Sequence, residues 1–197
     1  WAALMVDPVG PAVLPTLASF IHDSAVGALA LVLVVVVAKW VLLGRVREEQ
    51  RPLWSCWASR WDLLFVMWNM WARPLMSLFE YSPVLNWWLR LMGSSIGRNV
   101  VLGTASFAQV VDPDMLYFED NTTVSCSFQA HTFEDRVLKI APIRVSRGAS
   151  VGQGAVLMYG AVVGHDTEVM PHSVVMKYET LQPCSRYEGF PVRAVSP

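Results

Sequence analysis

Gln129-Ala130-His131-Thr132-Phe133-Glu134-Asp135-Arg136 is a dense cluster of titratable groups in the C-terminal half of the chain. An imidazole can take a proton from a hydroxyl, thiol or amine as that group attacks an activated acyl carbon. A nearby carboxylate can fix the imidazole tautomer and stabilise the imidazolium. His131 is therefore the candidate base, with Glu134 and Asp135 as candidate carboxylates and Arg136 placed to hold a substrate carboxylate or phosphate. The same residues also admit a structural reading, in which His131 caps a corner and the acids and Arg136 tie down a loop. His165 and His172 do not extend the cluster to a metal site. His165 follows Val163-Gly164 and points outward at a turn, sharing no face with His172, so no metal is assigned.

The elements that position these groups have a six-residue beat. Val145, Val151, Leu157, Val163, Val169 and Val175 fall at strict six-residue spacing, and Ala149, Ala155, Ala161, Thr167 and Ser173 follow the first five at a fixed offset. A helix repeats every 3.6 residues and a lone strand every two, so neither explains six. The pattern is that of hexapeptide repeats: three hexads per triangular coil, aliphatic ladders inside and small residues at the corners. Ile96 and Leu102, then Phe118 and Val124, continue the beat less regularly, and Ala130 to Arg144 interrupt it. The expected fold is mainly β, a left-handed parallel β-helix of about four coils over roughly 96–175 with one protruding loop, the loop of His131.

Upstream, residues 24–43 form a predominantly apolar run of about the 20 residues a helix needs to cross a bilayer. Lys39 intrudes near its end, to snorkel toward headgroups or to face a protein group inside the membrane. Pro8, Pro11 and Pro15 suggest an extended lead-in. Asp7, His22 and Asp23 precede the run and Lys39, Arg45, Arg47 and Arg51 follow it, which puts the β-helix on the cytoplasm-like side (cytosol, stroma or matrix). Trp54, Trp57, Trp61, Trp68 and Trp71 then recur at helical spacing, suited to interfacial helices or to packing against the prism, and Pro74 and Pro83 divide that region. The expected organisation is an anchor over 1–50, Trp-rich helices over 51–92, the β-helix over 93–180 and an extension over 181–197.

Composition agrees. Of the 197 residues 54% are hydrophobic and only 16% charged, high and low for a soluble domain, while a net charge of -1 gives no reason to expect nucleic-acid binding, which wants a basic stripe. Cys56, Cys126 and Cys184 are too few and too far apart for a disulfide framework or a zinc site. The chain begins with Trp1, as expected of a processed chain or part of a longer one.

Pro83 to Gly97, the His131-Thr132-Phe133-Glu134-Asp135-Arg136 element and Val145 to Lys177 together resemble the membrane-linked C-terminal region of nonribosomal peptide synthetase-like proteins of the poly-lysine-synthetase type, and more broadly the hexapeptide-repeat acyltransferase superfamily. The resemblance implies a membrane-anchored protein that transfers an acyl or aminoacyl group from a thioester, on CoA or a carrier protein, to an amine or hydroxyl, with His131 as the acyl-transfer base. It also implies that Gly189, Pro191 and Arg193, in Glu188-Gly189-Phe190-Pro191-Val192-Arg193, lie near the cofactor, although Val192 stands where such enzymes usually carry Ala. Sites of these enzymes usually form between neighbouring prisms, so a homotrimer or other subunits are the expected partners besides the bilayer. The alternative is a non-catalytic accessory subunit of a large respiratory or photosynthetic membrane complex, built on the same prism.

Overall fold

The computed structural model describes residues 13–103 and 112–195. The chain opens with α1 (Val13–Leu42), longer at its N-terminal end than the apolar run alone suggests. Pro15 lies inside its first turn, where the missing N–H has no helical partner to lose. Pro8 and Pro11 lie outside the described residues. The stretch Pro15–Leu42 is the one described helix long and apolar enough to cross a membrane, and little of it is buried by the rest of the chain. Val32, Val35 and Lys39 are buried, while Phe20, Ile21, Val37 and Val41 stand exposed around it.

A short strand, Glu49–Pro52, leads to α2 (Cys56–Met67), whose N-cap Ser55 accepts a hydrogen bond at Oγ from the Ala58 backbone N–H at 3.2 Å. Pro74 does not break the chain into separate helices. Residues Trp68–Ala72 widen into a π turn, with the Arg73 N–H reaching Trp68 O, before α3 (Arg73–Met76) continues. A proline ring crowds the carbonyl four residues back, and the wider turn relieves that clash. Pro83 does begin a new helix, α4 (Pro83–Met92). The tryptophans divide by burial: Trp61, Trp68 and Trp88 are core, whereas Trp54 and Trp87 are exposed.

α4 ends at Gly93 with φ +115°, a left-handed conformation that glycine adopts without penalty. Space is equally decisive there, because a Cβ would sit 2.2 Å from Asp114 Oδ1 and 3.1 Å from Lys39 Nζ. Asn86 Nδ2 donates to Val100 O at 2.7 Å and the Arg90 guanidinium to the carbonyls of Ile96 and Gly97, so α4 is bolted across the first coil.

The remainder is a three-faced parallel β-helix. One face stacks Ser95–Ile96, Leu116–Phe118, Ile143–Val145, Val162–Val163 and Thr180–Leu181. The second stacks Val101–Leu102, Thr123–Val124, Ser150–Val151, Glu168–Val169 and Arg186–Gly189, closed by the antiparallel Val192–Val195. The third stacks Ser127–Gln129, Val156–Met158 and Val174–Val175. Val145 pairs with Val163, Val151 with Val169 and Leu157 with Val175, each 18 residues on, the length of three hexads. The corner residues Ala149, Ala155, Ala161, Thr167 and Ser173 are all buried. The ladders run past Val175 through Leu181 and Tyr187, which keep the same spacing. The interruption is an antiparallel hairpin, His131–Glu134 with Val137–Ile140, to which Glu49–Pro52 adds a third strand. That strand ties the segment after α1 directly to the hairpin of His131.

Candidate functional site

The hairpin sorts its side chains by alternation. His131 and Phe133 face α2, where both rings meet the Trp61 indole edge-on, at centroid separations of 4.8 and 5.9 Å. Thr132 and Glu134 face the other way. There Glu134 Oε2 accepts from Lys139 Nζ at 2.9 Å and Oε1 from Lys177 Nζ, which reaches across from the prism. These two hydrogen bonds, that from Lys177 first, hold the Glu134 carboxyl down to about 2, and its charge in turn raises the Lys139 ammonium pKa. Asp135 and Arg136, at φ +52° and +63°, make the two-residue turn and are exposed. The structure therefore does not bring Glu134, Asp135 or Arg136 to the imidazole. Pleating sends Glu134 to the opposite face, and the turn carries Asp135 and Arg136 to the hairpin tip.

The carboxylate beside His131 is Asp112, one residue before a 3-10 turn at Pro113–Met115. His131 Nδ1 lies 2.8 Å from Asp112 Oδ2, with side chains 13% and 1% exposed. Trp61 Nε1 donates to Asp112 Oδ1 at 2.7 Å. A carboxylate only accepts, so in the neutral imidazole this contact puts the ring proton on Nδ1 and leaves Nε2 as the accepting nitrogen. Asp112, Trp61 and His131 thus form one hydrogen-bonded chain, with Asp112 and Trp61 buried and His131 part-buried at its end.

The same turn reaches into α1. Asp114 Oδ2 lies 2.8 Å from Lys39 Nζ, both side chains being essentially inaccessible, and accepts from the Val46 N–H at 3.1 Å. Ser94 Oγ donates to Pro113 O at 2.7 Å. Of the two fates open to Lys39, the structure shows a protein partner within the same chain. Trp40 adds a second tie, its Nε1 donating to Leu91 O at 2.8 Å.

Spacing pointed to the nearest acids in sequence and passed over Asp112, 19 residues upstream of His131. A signal was present: Asp112 and Asp114 are the only charged residues between Arg98 and Glu119. Gly189, Pro191 and Arg193 line a shallow depression of about 490 Å³ at the antiparallel edge of the second face. His165 Nδ1 faces both Asp166 Oδ2, at 3.0 Å, and Cys184 Sγ, at 3.8 Å, all exposed. Cys126 is fully buried in the core, and burial pushes its thiol pKa well up.

No family model matches the chain. Over 163 residues, 81% of its length, it is 28% identical to delta-poly-L-ornithine synthetase of Acinetobacter baumannii (strain AB307-0294), and it spans 12% of that protein. A maltose O-acetyltransferase from Clostridium difficile 630 aligns with a TM-score of 0.50 at 14% identity, over 80% of this chain and 95% of that one. A hexapeptide-repeat acetyltransferase from Vibrio cholerae aligns with a TM-score of 0.42 at 13% identity, over 65% and 89% of the two chains. The chain is thus a homologue of one stretch of that delta-poly-L-ornithine synthetase, and it shares the fold of the Clostridium difficile maltose O-acetyltransferase.

Proposed function

We propose that this chain is a membrane-anchored acyltransferase of the left-handed β-helix type, moving an aminoacyl group from a thioester to an amine. The Asp112–His131 pair carries the reading, because in the neutral ring it leaves Nε2 as the accepting nitrogen, held in one direction. As the acceptor amine attacks the thioester carbonyl, His131 Nε2 takes a proton from it. Collapse of the tetrahedral intermediate breaks the carbon–sulfur bond, forms the amide and returns the proton to the departing thiolate. Asp112 holds the ring and stabilises the imidazolium in between. The named product of the curated relative, a δ-linked polymer of ornithine, supports an amine acceptor over a hydroxyl.

α1 supplies the anchor: its exposed apolar surface suits lipid, and the exposed Trp40 and Trp87 suit the interface. Base, carboxylate and indole all come from one chain, so the proton-transfer unit needs no neighbouring prism; a homotrimer or neighbouring units would supply further walls for donor and acceptor. Gly189, Pro191 and Arg193 remain the proposed contact for the thioester carrier, CoA or a carrier protein.

The test uses the full chain in lipid nanodiscs with aminoacyl thioesters and diamine acceptors, following thiol release and amide formation. His131→Gln should remove turnover while leaving the folded state intact. Unchanged turnover would end the proposal.

A further inference from the structure

A second site lies where α1 leaves the proposed bilayer. Val46 turns inward, its N–H held by Asp114, so its neighbours Arg45 and Arg47 project outward. They line a cleft of about 330 Å³ with Arg144, Tyr117, Met115 and the one acid, Glu48. Three guanidiniums against one carboxylate leave a formal charge of +2 on these walls. Among the described residues, none of the three makes an ion pair with a carboxylate. Arg144 is held in place instead: it is the cross-strand partner of Tyr117, and its guanidinium carbon lies 4.2 Å from that ring centroid. Unneutralised like charges repel, and guanidinium is shaped to bind phosphate through paired hydrogen bonds.

We infer that Arg45, Arg47 and Arg144 form a phosphate-binding cleft, filled by the headgroup of an anionic phospholipid. The source follows from position. Arg45 lies three residues beyond the last residue of α1, at headgroup depth if that helix spans the bilayer. Arg144 comes from the β-helix, 102 residues away in sequence from Leu42, so a lipid bound here would touch anchor and prism together. The lipid source rests on the membrane placement proposed above, whereas phosphate recognition does not.

The experiment titrates the detergent-solubilised full chain with short-chain phosphatidylglycerol, phosphatidylcholine and inorganic phosphate, counting bound molecules by native mass spectrometry. Phosphatidylglycerol should be preferred, and Arg144→Gln should weaken that preference about fivefold, with a further loss in R45Q/R144Q. Arg98→Gln, which removes the same charge from an exposed site elsewhere, should leave it unchanged. Saturable inorganic phosphate binding that is lost in R144Q, without preference between the lipids, would keep the cleft as a phosphate site and overturn the lipid source. A preference that survives R45Q/R144Q, or falls equally in R98Q, or binding of neither anion, would overturn the inference.

Discussion

Asp112→Asn should abolish catalysis for a reason that Trp61 makes testable. The substitution is nearly isosteric, but the amide has one accepting end and one donating end. Trp61 Nε1 can only donate, and at 2.7 Å from Oδ1 it claims the amide oxygen. The NH₂ group then faces His131 Nδ1, across the 2.8 Å contact now made by Oδ2. Nδ1 must accept, the ring proton moves to Nε2, and the free base is lost. Positioned general bases contribute about 10²–10⁴ in rate, and at about 1.36 kcal/mol per tenfold that loss is roughly 2.7–5.4 kcal/mol of barrier. Trp61→Phe alone should weaken the site by leaving Oδ1 without its donor. In the double variant W61F/D112N nothing fixes the amide, which can rotate its oxygen toward Nδ1–H. The double variant should therefore be faster than D112N, by about fivefold for one hydrogen bond worth ~1 kcal/mol. Single-turnover thiol release in nanodiscs reads the rates, and ¹⁵N shifts of His131 read the tautomer directly. Turnover of D112N within threefold of the parent, or a double variant no faster than D112N, would refute the reasoning.

Lys39→Met leaves Asp114 buried and uncompensated, and should cost roughly 3–5 kcal/mol in denaturant titrations in detergent, with K39M/D114N recovering most of it; a loss under about 1 kcal/mol would contradict the buried pairing. Glu134→Gln addresses pH. The folded carboxyl is depressed from 4.5 to about 2, so its stabilisation is present above about pH 4.5 and is lost as pH falls toward about 2. E134Q should thus unfold at lower denaturant than the parent at pH 7, and the two midpoints should converge near pH 2; a difference independent of pH would exclude the Lys139–Lys177 clasp as its source.

The prism was legible because its sequence rule is strict. Each inward residue from Val145 to Val175 must be aliphatic and each corner residue small, since one misplaced side chain would leave a void or a clash in a stack only one residue thick per face. Leu181 and Tyr187 obey the same spacing, but Tyr187 is not aliphatic, and the ladder looked shorter than it is. The hairpin was legible as an interruption; its handedness of faces was not, because deciding whether His131 or Thr132 points to α2 needs the pairing register. Asp112 escaped for a related reason. Its partner is fixed by the coil-to-coil stacking that brings residues 112 and 131 together, and no local period reports that distance. The helical region shows the limit of spacing alone: five tryptophans share a stripe, yet Trp54 precedes the helix and Trp61 and Trp68 are core.

The arrangement of two acids around Pro113 explains why a buried ion pair persists at the C-terminal end of α1. A buried pair seldom adds stability over well-packed apolar side chains of the same volume, so registry is the better account of Lys39 and Asp114. The C-terminal half of α1 is a run of valines and leucines around Lys39, its one basic residue, and such a surface can slide or rotate against α2 at little cost. Lys39 meeting Asp114 sets a single register, and Asp114 passes it on through a turn stiffened by Pro113 and closed by the Met115 N–H on Asp112 O at 2.9 Å. Asp112, on the other side of the proline, then presents its oxygens to Trp61 and His131. Four elements with no covalent proximity, α1, α2, the end of α4 and the hairpin, converge on three residues of one turn. The direction of the imidazole is thereby tied to the position and rotation of α1, and a loop fixed only by its own hairpin would have no such link.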